Sequence, residues 1–121
     1  MKRLLTAMLA CAPVLAGASD APPWEGYWAL DARWCAQAGE VGDGTPDWFG
    51  RDGLFGVEWS CEVRDVRETG VGQSWILDID CLDAGFAYSE SQIFMLTPHD
   101  RLMILTKDGL VHDLVRCEAS R

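Results

Sequence analysis

Two runs of residues decide the fold: Trp59-Ser60-Cys61-Glu62-Val63-Arg64 and Trp75-Ile76-Leu77-Asp78-Ile79-Asp80-Cys81. In each, the first residue, the third and every second one after that are mostly apolar or cysteine, while most of their neighbours are polar. A period of two is how a strand with one buried face reads. The segment between them, residues 68–74, contains Gly70 and Gly72 and turns the chain, so the two runs form a hairpin with a cysteine on the apolar side of each strand.

Working outward, residues 26–30 read as a first short strand. Residues 31–36 read as a single helical turn capped by Asp31, whose side chain can accept from the orphan N–H groups of the first turn. Residues 39–46 form a loop rich in glycine, and residues 47–49 and 54–57 flank a turn in which the Asp52-Gly53 pair suits a positive φ at glycine. On the C-terminal side, Asp83-Ala84-Gly85 turns the chain into a strand over residues 86–96. The faces of that strand are mixed: Phe86, Tyr88 and Phe94 lie on one and Ile93 and Met95 on the other, which predicts a bulge or a change from edge to core. Strands over residues 102–106 and 110–117 follow, joined by the turn Lys107-Asp108-Gly109. No segment carries apolar residues at spacings of three and four over ten or more positions, so helix is a minor component.

The expected fold is therefore all-β: a small, mostly meandering antiparallel β-barrel of seven or eight strands, with one short helical turn and two disulfides. Closing the sheet on itself removes the edges that a chain without covering helices would leave open. A barrel this small is expected to fill its interior with side chains.

Residues 1–18 have the layout of a cleavable signal peptide: Lys2 and Arg3, an uncharged and largely apolar run from Leu4 to Ala16, then Ala16-Gly17-Ala18 as a small-x-small cleavage site. Residues 19–121 form the single remaining domain, beginning with a polar, proline-rich tether. The expected location is the periplasm or the outside of the cell, with no membrane span in the mature form. The chain has a net charge of −9, and losing Lys2 and Arg3 deepens it by two. So acidic a domain disfavours nucleic acid and anionic lipid, which are bound through basic patches, and favours cationic partners.

The chain has five cysteines, and Cys11 leaves with the signal. Cys35, Cys61, Cys81 and Cys117 then form an even set, which in a small exported domain is a disulfide framework. Three pairings are open; the expected one is Cys35 with Cys61 and Cys81 with Cys117, each tying segments that a meander could bring side by side. A zinc site is disfavoured because no C-x-x-C pair is present.

No constellation of residues points to catalysis. His112 precedes Asp113, and adjacent strand residues face opposite ways, so the aspartate cannot orient that ring. There is no G-x-S-x-G elbow and no H-E-x-x-H. Asp43, Asp47 and Asp52 do not follow the EF-hand spacing and read as a solvated acidic loop. No metal or cofactor is expected. Of the six tryptophans, Trp28, Trp59 and Trp75 alternate into the core. Trp24, Trp34 and Trp48 lie near loops and are candidates for touching a ligand. Asp78, Asp80 and Asp83, with Glu58 and Glu62, are expected to form an outward-facing acidic patch.

The order Gly26-x-Trp28, Trp34-Cys35, Gly53-Leu54-x-Gly56-x-Glu58-x-x-Cys61, Trp75-x-Leu77 with Cys81, and Leu114-x-Arg116-Cys117 resembles small exported disulfide-containing proteins of unknown function from Gram-negative bacteria. By size, compartment and expected barrel, the chain is also similar in architecture to periplasmic inhibitors of lysozyme. The function these readings imply is that of a monomeric, non-enzymatic binding or inhibitor-type module acting on a cationic macromolecule such as lysozyme. The alternative is a binder of small ligands or glycans through its loop tryptophans.

Overall fold

The structure is a computed structural model that describes residues 21–118. The expected signal peptide over residues 1–18 lies outside the described residues. Eight strands follow in order: β1 (Gly26–Ala29), β2 (Asp47–Phe49), β3 (Gly53–Gly56), β4 (Trp59–Glu68), β5 (Gln73–Asp83), β6 (Phe86–Leu96), β7 (Arg101–Leu105) and β8 (Val111–Arg116). A 3₁₀ helix, Ala32–Gln37, follows β1, and its cap is Asp31, which accepts from the Arg33 N–H. Each strand pairs antiparallel with the next, and β8 returns to β1 through Trp28 with Arg116 and Ala29 with Val115, closing the barrel.

β5 lies at the centre of the longest pairings. Trp75, Leu77, Ile79 and Cys81 are buried while Ile76, Asp78, Asp80 and Leu82 face out, and β4 supplies Trp59, Cys61 and Val63 to the same interior. Beyond Val63 the register shifts by a bulge before Asp65. The extra residue puts Val66, rather than Asp65, opposite Leu77 and keeps the apolar side inward. Of the two readings expected for β6, the bulge is absent, since its eleven residues pair with β5 in one unbroken register, and the change from edge to core is present, since β7 pairs with it only from Ile93 to Leu96.

One end of the barrel is sealed. Trp24 is fully buried and meets Phe94 edge-on at 5.2 Å between ring centroids. Its carbonyl accepts from Trp28 Nε1 at 3.0 Å. Arg116 lies over the Trp28 ring, 4.4 Å from its centroid, and donates to the carbonyls of Pro23 (2.7 Å) and Glu25 (2.9 Å). Trp24 is therefore a plug and not part of a binding surface. The tight turn from Pro22 to Glu25, bonded N–H to C=O at 2.9 Å, carries its ring over the end of the sheet.

The disulfides are Cys35–Cys117 and Cys61–Cys81, which corrects the expected pairing. Cys61 and Cys81 stand directly opposite each other across β4 and β5, where two inward side chains of one hairpin meet. Cys117 follows β8, which closes on β1, and its N–H donates to the Tyr27 carbonyl at 2.9 Å, bringing it beside the helix that carries Cys35. Gly53 also departs from its expected role. It has no positive φ and lies in β3, where a Cβ would fall 2.8 Å from the Phe55 ring. Gly109, at φ 87°, turns as expected.

The two bridges differ in the chain they close, with sequence separations of 82 and 20. Loop-closure entropy of the unfolded chain then gives the longer one about 1 kcal/mol more stabilisation, from totals of roughly 4.5 and 3.3 kcal/mol. Replacing Cys35 and Cys117 together by alanine is expected to lower the urea-unfolding free energy by more than replacing Cys61 and Cys81, after allowance for the side-chain volume each pair loses from the core.

Candidate functional site: the barrel mouth

The same alternation that builds the core changes chemistry at the end opposite Trp24. In β2, Phe49 is buried, and two residues earlier Asp47 points the same way. In β8 the residue two before Leu114 is His112; in β6 the residue two before Phe94 is Gln92; in β5 the residue two after Cys81 is Asp83. These side chains, with Trp59, Tyr88 and Leu30, line a cavity of about 370 Å³ whose floor is Phe49, Leu54, Phe94, Ile104 and Leu114. The interior is thus filled at one end and hollow at the other, where the sequence reading expects it solid throughout.

Asp47 is half-buried and, among the described residues, has no hydrogen-bond donor or ion-pair partner. Burial among apolar side chains disfavours its charged form and pushes its carboxyl up from 3.8 to about 6. The Tyr88 phenol is also raised, first by burial and then by the carboxylates of Glu90 and Asp83. Glu90 accepts from Gln92 Nε2 at 2.6 Å. The mouth is therefore an apolar cup with an acidic rim. The Trp59 ring lies across Gly56, where a Cβ would come within 2.1 Å of it, so glycine at 56 is the condition for Trp59 to cover that wall.

The remaining expected site residues are spread over other surfaces. Asp83 has the opposite parity to Asp78 and Asp80 and faces the mouth, which separates it from the patch it was expected to join. Asp80 is held below the usual carboxylate range by the Ser89 hydroxyl and then by Arg64, with bonds of 2.6 and 2.8 Å. Asp78 is held down by Arg67 and then Ser91, at 2.8 and 2.6 Å. This outer face of β4, β5 and β6 is consequently a ladder of alternating sign and not an acidic patch. Glu62 stands across from Asp80 on it. Glu58 occupies the β3–β4 turn at φ 64°.

Trp48 rests edge-on against Tyr27 at 5.0 Å outside the barrel, and Trp34 lies beside Gly44. Both are half-buried, and neither lines the mouth. His112 faces the cavity while Asp113 accepts from Arg101 outside it at 2.7 Å, as adjacent strand residues must. From sequence, His112 is weighed only for catalysis and Asp47 only for calcium, both set aside, and Tyr88, Glu90 and Gln92 carry no site reading. Their inward parity relative to Phe49, Phe94 and Leu114 is the signal that could have found them.

No group of three or more histidine, cysteine or acidic side chains placed to hold a metal occurs among the described residues. No helix among them is long and apolar enough to cross a membrane. A scan against family models and searches of curated proteins and solved structures found no match to the chain.

Because Asp47 holds its proton more tightly folded than unfolded, its contribution to stability falls as pH rises from about 4 to about 6 and stays lower above that. Allowing for partial solvent access, Asp47→Asn is expected to remove that fall and to stabilise the protein at neutral pH by about 1–2 kcal/mol, read from urea melts across the window. Gly56→Ala drives Trp59 from its seat and is expected to cost about 1–3 kcal/mol, with a shifted tryptophan emission spectrum.

Proposed function

We propose that this protein is a non-enzymatic binding module of the periplasm or extracellular space. Its barrel mouth receives a cationic group, the lysine or arginine side chain of a basic exported protein such as lysozyme. One observation carries the reading: Asp47 and Asp83 converge on an apolar cavity without a bonded cation among the described residues. A lysine or arginine side chain has the matching form, an apolar stem that contacts the floor and a charged head that meets the rim. The cationic partner expected from net charge keeps its chemistry, but its contact moves from the outer face, where Arg64 and Arg67 already pair the carboxylates, to the mouth. The two disulfides suit an oxidising compartment.

A second reading is favoured by the depth of the apolar floor. A small amphiphilic cation could occupy the cavity by itself, a site on the scale at which proteins hold small ligands. Trp59 reports on both cases because its ring lines the cavity.

Calorimetric titration with lysozyme at low and moderate salt tests the proposal. The expected result is salt-sensitive binding that the double variant Asp47→Asn/Asp83→Asn weakens by about tenfold or more. The double variant Asp78→Asn/Asp80→Asn on the outer ladder should leave it unchanged. Equal loss in both variants, or no binding to lysozyme with a response of Trp59 emission to an alkylammonium ion, would overturn the macromolecular reading. In the second case the small-cation reading stands in its place.

A further inference from the structure

β6 is bonded along its whole length to β5, but β7 pairs with it only from Ile93 to Leu96. Residues 86–92 therefore have an open side, with no strand paired to it among the described residues. Ala84 and Gly85, at φ 51° and 93°, form a two-residue turn, so Asp83 and Phe86 are its closing hydrogen-bonded pair. Counting on from there, the main-chain groups of Phe86, Tyr88, Glu90 and Gln92 point at β5. Those of Ala87, Ser89 and Ser91 point away from it.

The opposite margin of the β4–β5–β6 ribbon is defended. Past Val63, β4 is bulged and carries Arg64, Asp65, Arg67 and Glu68, and bulges and charges are what keep a strand edge from recruiting another chain. The β6 margin has no bulge and one charge, Glu90, and its outward side chains are small.

We propose that this edge joins β6 of a second copy of the chain, antiparallel, about a twofold axis at Ser89. Ser89 is the midpoint of the open stretch, so the two stretches match end to end and stop where each β7 begins. Ala87 then faces Ser91 of the second copy and Phe86 faces its Gln92. Glu90 faces Tyr88 of the second copy, whose hydroxyl can donate to it, rather than a second Glu90. Self-association of an acidic chain is disfavoured by like charge, and this register sets the two Glu90 side chains diagonal to each other and not directly opposite. The three outward-pointing residues of each copy form about six main-chain hydrogen bonds. The hairpin tip of each copy runs on towards the end of β7 in the other, where Leu105, Leu110 and Val111 are exposed. The result is one sheet shared by two barrels, a closed isologous dimer in place of the monomer expected from sequence.

Sedimentation equilibrium of the purified protein, from micromolar to the highest soluble concentration, is expected to show a dimer. Ser89→Pro deletes the N–H at the axis in both copies and should raise the dissociation constant by about tenfold or more, while an edge strand tolerates proline in the monomer. If that variant fails to fold, Ser89→Lys serves instead, since its exposed side chains would oppose each other across the axis. Ser89→Cys should cross-link to itself on oxidation, and Glu40→Cys on an exposed loop should not. A chain that is monomeric throughout, a dimer unmoved by the folded Ser89 variant, or equal cross-linking at the two positions would overturn the proposal.

Discussion

The pairing of β4 with β5 at Cys61 and Cys81 is the constraint on which the rest depends. A slip of one residue in that register would send Trp75, Leu77 and Ile79 to solvent and bring Asp78 and Asp80 inside. The disulfide joins two residues that are already opposite, so it locks the register that the apolar pattern selects. The bulge after Val63 belongs to the same arrangement. It re-phases the far half of β4 so that Val66 continues the inward row, and it leaves Arg64 and Arg67 outside to meet Asp80 and Asp78.

Strands with clear alternation were legible in the sequence, and so were the turns that join them and the even cysteine set. Pairing of the cysteines was not. A meander reads as local contacts between successive strands, but Cys35 finds Cys117 because the last strand returns to the first, and closure is a property of the whole sheet that no segment carries. Trp24 was misread for a related reason. Its neighbours Pro22 and Pro23 mark it as loop, and only the geometry of the sealed end shows that this loop crosses the core. Gly53 shows a third failure, since a glycine needed for room beside Phe55 looks in sequence like one needed for its φ.

The mouth was harder to read. β2 has only three residues, too few for Asp47 to declare its face by alternation, and in a segment rich in glycine and aspartate it looks solvated. In β6, apolar residues on both sides, Phe86, Tyr88 and Phe94 on one and Ile93 and Met95 on the other, read as mixed faces that called for a bulge or a change from edge to core, and the polar Glu90 and Gln92 at inward positions carried no separate signal. The unbroken register with β5 shows that the faces are consistent and that the interior itself changes from apolar to polar. Asp83 was grouped with Asp78 and Asp80 by proximity, although its odd number places it on the other side of the strand.

That change happens on four strands around one cavity: Phe49 gives way to Asp47, Cys81 to Asp83, Phe94 to Gln92 and Leu114 to His112. A single polar residue at an inward position is a local accident that a barrel can absorb. Four on separate strands lining the same cavity define a surface. The two ends of the barrel then differ in kind. At the sealed end the cation, Arg116, has carbonyls, a carboxylate and the Trp28 ring around it. At the open end, Asp47 is held among apolar groups at a cost to folding. Solubility alone would be served by a carboxylate on the outer face, beside the arginines of β4, where its charged form is favoured. Sequences depart from local rules mainly where function requires it. The departure here gathers around a concave, accessible region of the interior, which is why the proposed recognition is placed at the mouth and not on the better-paired charges outside.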